Sequence, residues 1–148
     1  MKLKHLVETK YEKDVSLYNK GLTRLPTDLP EKITGNFGCI ENELTSLEHC
    51  PSQIGGNFSC SHNKLTSLKD VHTHIRKVDG WFICFHNYIE SHILGLMLIE
   101  IGREIITRLG GGKDVDKILN TWKNQGRKGV LGAQRELLEL GYAELAQL

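Results

Sequence analysis

At 148 residues, 39% hydrophobic and 25% charged, the chain has the length and composition of an ordinary soluble domain with a core of its own. A formal net charge of +1 gives no overall basic field for nucleic acid and no acidic excess that would argue for disorder. The most apolar run, "ILGLMLIEI", is too short to span a bilayer, and "MKLKHLVETKYEKD" lacks the apolar segment of a signal peptide, so a cytoplasmic location is expected.

After that N-terminal lead-in the chain repeats itself. The first unit is "VSLYNKGLTRLPTDLPEKITGN", starting at Val15. It is followed by "FGCIENELTSLEH" from Phe37, "FSCSHNKLTSLKD" from Phe58 and "FICFHNYIESHI" from Phe82. The clearest copies are 21 residues apart, and the fourth arrives three residues late, which puts an insertion in "IRKVDGW". The shared pattern is apolar-x-apolar-x-x-Asn-x-Leu-x-x-Leu. This is the leucine-rich-repeat formula with Phe and Cys in two of the leucine places. Each unit reads as a short strand, a bend whose Asn satisfies backbone groups, and a return arm. One such rung cannot bury its apolar face, but stacked rungs can.

The fold expected is therefore α+β: a short leucine-rich-repeat-type solenoid, with about 4–5 strands in one sheet, over residues 1–109, followed by a helical cap over 110–148. Cys39, Cys60 and Cys84 fall in one inward column, and Cys50 takes the slot of Leu29 and Val71. The cysteines read as core thiols, since their spacing fits a repeat and not a CxxC metal clamp. No metal site, cofactor or catalytic residue is expected.

Strand positions two and four should face outward. They place Tyr18, Ile40, Ile83 and Phe85 on a face that ought to be wet, with Ser61 in the same column. Exposed aromatics on a rigid sheet suit a protein-binding surface. A competing reading has the C-terminal region folded over Ile83 and Phe85. Beside this column runs the line Glu41, His62, His86, whose composition invites an acid–base reading. A shallow sheet without a cleft favours ordinary surface residues that contribute to binding.

Residues 93–108 fit either strands or a buried helix; Gly95 and Gly102 among Ile93, Ile99, Ile101, Ile105 and Ile106 favour strands. "GGGK" at 110–113 reads as a connector, because Asp114 stands where a phosphate-binding loop needs Ser or Thr. A helix is expected from a capping Asp114, with Val115, Ile118, Leu119 and Trp122 on one face, to a stop at Gly126. A second should run from near Val130 to Gly141, before a short turn in "YAELAQL". Lys123, Arg127, Lys128 and Arg135 cluster around the inter-helix turn. They supply an alternative reading, an anion or nucleic-acid site.

The run "GNFGCIENELTSLEHCPSQIGGNFSCSHNKLTSL" resembles the leucine-rich-repeat-like small proteins encoded by tailed bacteriophages. The tail "NTWKNQGRKGVLGAQRELLELGYAELAQL" is similar to the C-terminal module such proteins carry. The resemblance implies a phage protein working in the host cytoplasm on a host or viral protein, and no particular reaction. The stretch "LTRLPTDLPEKI" is also similar to repeats of secreted bacterial ubiquitin ligases. Those depend on a separate large catalytic domain, for which no stretch here is long enough.

Overall fold

A computed structural model describes residues 13–148, so most of the N-terminal lead-in lies outside the described residues. Among the described residues nine two-residue strands follow the repeat: Val15–Ser16 (β1), Lys32–Ile33 (β2), Phe37–Gly38 (β3), Gln53–Ile54 (β4), Phe58–Ser59 (β5), Lys77–Val78 (β6), Phe82–Ile83 (β7), Glu100–Ile101 (β8) and Ile105–Ile106 (β9). The odd-numbered strands form the expected five-stranded sheet, in the order β1-β3-β5-β7-β9. All its pairs are parallel, and Val15, Phe37, Phe58, Phe82 and Ile105 share one register.

The return arms form a second parallel sheet, β2-β4-β6-β8, which the repeat reading did not place. Its inward column is Ile33, Ile54, Val78 and Ile101, all buried. The molecule is thus a parallel β-solenoid whose two sheets close around one core. Gln53 pairs with Lys77 and Ile54 with Val78. The insertion therefore lies ahead of Lys77, where Val71–His74 form a helical turn (α1), and not in "IRKVDGW". Residues 93–108 turn out to be both kinds of structure: a 3-10 helix at Leu94–Leu98, then β8 and β9.

Phe37 and Phe58 stack with ring centroids 6.1 Å apart, and Phe58 and Phe82 meet at 5.0 Å. Cys39, Cys60 and Cys84 are buried beside them, and Cys50 is buried on a return arm. At the bends after β3, β5 and β7 an Asn links neighbouring rungs. Asn63 accepts from the Leu44 amide at 2.9 Å and donates to the Cys39 and Cys60 carbonyls at 2.9 and 3.0 Å. Asn42 and Asn87 repeat the arrangement. A second ladder stands before the strands: Asp14 accepts from the Asn36 amide, Asn36 from Asn57, and Asn57 from Trp81.

Two helices follow, Asp114–Trp122 (α2) and Gly126–Glu139 (α3). Asp114 lies in the first turn of α2 and does not cap it. Lys123 is already extended and Asn124 left-handed, so the chain leaves α2 before Gly126. Gly126 opens α3 instead of stopping α2, and α3 begins ahead of Val130. Gly141 ends the helix in the left-handed region, at φ 88°. The last residues return to the solenoid: the His92, Ile93 and Leu94 amides donate to the Glu144, Leu145 and Gln147 carbonyls. Val115, Leu119, Leu137 and Leu145 join the rung core.

The last rung leaves both sheets with an open edge. The α2 segment closes it with side chains one helical turn apart. Asp116 accepts from the Thr107 amide at 3.0 Å and from the Thr107 hydroxyl. Asn120 accepts from the Ile105 amide at 2.8 Å and donates to the Ile105 carbonyl at 2.9 Å. Asn124, just past the helix, does the same for Ile101 at 2.9 and 2.7 Å. Each carboxamide offers the donor and acceptor that another strand would offer.

Candidate binding face

Two outward columns cross the five-stranded sheet. Strand position two carries Ser16, Gly38, Ser59, Ile83 and Ile106, in register. Position four carries Tyr18, Ile40, Ser61 and Phe85, and Arg108 extends it onto the last rung. Tyr18 is 56% exposed, whereas Ile40, Ile83, Phe85 and Ile106 are half-buried. Ser61 corrects the expected surface: at 1% exposure it is buried, although its position faces outward. Its short side chain lies between the larger Ile40 and Phe85 of the adjoining rungs, with its hydroxyl 3.4 Å from that of Ser59.

The C-terminal helices pack at the end of the stack, α2 against β9 and α3 against the 3-10 turn at Leu94–Leu98. Ile83 and Phe85 keep their partial exposure. The Arg108 guanidinium lies 4.3 Å from the centroid of the Phe85 ring.

Next to position four the backbone turns left-handed on every strand up to β7. Asn19, Glu41, His62 and His86 occupy that place, at φ 54–61°. Asn and His tolerate this region better than most residues. The line Glu41–His62–His86 therefore has a backbone reason for its position and two aromatic members with further contacts. His62 and His86 stack at 4.4 Å, and both approach Phe85 edge-on, at 5.8 and 5.2 Å. They line a groove of about 380 Å³ with Asn63, Asn87 and Tyr88. Glu41 lies outside that groove. No group of three His, Cys, Asp or Glu among the described residues is arranged to hold a metal ion. Replacing Glu41 with Asn should stabilise the fold by about 0.5–1 kcal/mol by relieving the left-handed backbone. Urea unfolding of the two proteins checks this, and an unchanged or lower midpoint would contradict it.

Sequence reasoning missed Tyr88, Ile106 and Arg108. Tyr88 follows a ladder Asn and is 67% exposed. Ile106 and Arg108 belong to a rung without the Asn-x-Leu signature, so the repeat gave no register for them.

The basic turn does not converge on one point. The Lys123 ammonium donates to the Arg103 carbonyl and, at 3.4 Å, to Asn120. Arg135 lies over the Trp122 ring at 5.8 Å. Arg127 and Lys128 are exposed on the first turn of α3.

These features define a parallel β-solenoid of leucine-rich-repeat type, capped at its C-terminal end by a helix pair and bearing an apolar-aromatic strand face. No protein-family profile, curated protein or solved structure matches the chain. No helix among the described residues is long and apolar enough to cross a membrane.

Proposed function

We propose that the chain is a protein-binding module that engages its partner through the outward face of the five-stranded sheet. The observation that carries this reading is the partial exposure of Ile40, Ile83, Phe85 and Ile106 beside exposed Tyr18, on strands held rigid from both edges of each rung. Anchors on a rigid scaffold lose little entropy on binding. The resemblance to phage proteins makes the partner a host or viral protein, bound in the host cytoplasm and inhibited or redirected by occupation.

Replacing Ile40 and Phe85 together with alanine should reduce capture of a specific partner from host lysate by roughly tenfold or more, as for loss of hot-spot residues. The partner would be quantified by mass spectrometry against the unaltered protein. Equal recovery by a variant whose unfolding midpoint shows it folded would refute the strand-face reading.

The second reading, nucleic-acid binding by Lys123, Arg127, Lys128 and Arg135, is favoured only by the exposed pair Arg127 and Lys128. It requires salt-dependent retention of DNA or RNA that disappears when both become Glu.

A further inference from the structure

At its C-terminal end the strand face runs into a cleft. Ile106 belongs to both: it pairs in register with Ile83 on the sheet and lines a recess of about 1020 Å³ between β9 and α2. Arg108 likewise joins the two, covering Phe85 on one side and lining the recess on the other. The charged groups of the recess are Arg108, Lys113 and Lys117 against Glu104 and Asp116. Asp116 is already engaged, accepting from the Thr107 amide and hydroxyl and from the Arg108 amide. The lining thus carries three cations against two carboxylates, with the Asp116 oxygens already occupied by hydrogen bonds, next to an apolar and aromatic strip.

We propose that this end of the face takes an extended acidic peptide segment of the partner protein. One apolar or aromatic side chain of the segment sits against Ile83, Phe85 and Ile106, and one or more carboxylates enter the recess toward Arg108, Lys113 and Lys117. The inference rests on the strand-face reading and adds the chemistry of the partner. Charge complementarity of this kind sets specificity and on-rate, and the apolar contact supplies most of the affinity. The N-terminal end of the face offers Ser16, Gly38 and Ser59 in the equivalent column, so the acidic and apolar preferences belong to the C-terminal rungs.

The test uses the full chain and a yeast-displayed library of random peptides. The expected result is enrichment of peptides pairing Asp or Glu with a nearby apolar residue. Their affinity should fall roughly tenfold in a Lys113→Glu, Lys117→Glu variant, and fall with added salt. These two lysines are exposed, so the variant is expected to fold, and its melting temperature confirms that. It should also fall in an Ile83→Ala, Phe85→Ala variant. Enriched peptides that need Ile83 and Phe85 but show no acidic bias and ignore the lysines would overturn this inference and leave the strand-face reading standing. No enrichment, or binding indifferent to Ile83 and Phe85, would also overturn this inference, and the strand-face reading then rests on the capture experiment with the Ile40 and Phe85 variant. Retention of a labelled oligothymidylate that is lost in the lysine variant would assign the recess to nucleic acid instead, and would also overturn it.

Discussion

Above pH 9 the solenoid is expected to lose stability steeply, because its four thiols are buried and must stay protonated. Burial holds Cys39 up at about 12 against an ordinary value of 9.0. The same cause raises Cys50, Cys60 and Cys84, and the neighbouring cysteines add to it for Cys60. Below pH 9 both states keep the proton, so the thiols make no pH-dependent difference. As pH rises toward 12 the unfolded chain releases protons that the folded chain retains, and the balance moves toward unfolding. Each thiol contributes a slope approaching about 1.4 kcal/mol per pH unit. Four together approach about 5 kcal/mol per unit, which is comparable with the whole stability of many domains. Urea unfolding in reductant across this range measures the slope. A Cys60→Ala variant should lose about a quarter of it, whatever its baseline stability. An identical slope in that variant would show that the thiols do not drive alkaline unfolding.

The second large effect is expected at Asn63. Its carboxamide is buried at 4% exposure and bonded to backbone groups of two rungs. Asn63→Ala leaves the Leu44 amide without a partner and removes one of two donors from the Cys39 and Cys60 carbonyls, which keep Asn42 and Asn87. An orphaned buried amide costs about 1–3 kcal/mol and each lost second bond about 0.5–1 kcal/mol, so a loss of about 2–4 kcal/mol is expected. Asn63→Asp keeps the acceptor for Leu44 but turns an oxygen toward two carbonyls about 3 Å away. It should be no better than alanine at neutral pH. Denaturant midpoints of the two variants decide the matter; a shift below about 1 kcal/mol in Asn63→Ala would mean the bend is held by other contacts.

The first sheet was legible because on the rungs of β3 and β5 three features coincide, an inward Phe and Cys, a bend Asn and two following leucines, and the rungs of β1 and β7 fall in phase with them. Any one alone would have left the register open. The second sheet was not, because its inward column is a single Ile or Val per rung flanked by polar residues such as Lys32 and Gln53. Two-residue strands of that kind carry no alternation to read. The last rung was partly hidden for a related reason. It has no bend Asn of its own, and its edge partners, Asp116, Asn120 and Asn124, come from another segment. In sequence they look like the polar side of an amphipathic helix. Ser61 shows a different limit. Its outward position follows from alternation, but its burial depends on the size of its neighbours, which position alone does not give. The outward placement of Tyr18, Ile40, Ile83 and Phe85 could be read directly, while the cleft beside Ile106 needs the fold of α2 over β9.

The side-chain closure of the final rung also limits assembly. A parallel stack with a bare end is a template: its unpaired amides and carbonyls would accept a strand from any second copy, and filaments would grow by end-on addition. Asp116, Asn120 and Asn124 fill those valences with groups that extend no further, so this terminus is inert toward polymerisation. A chain with alanine at Asn120 and Asn124 would thus carry a sticky end in addition to a weakened cap.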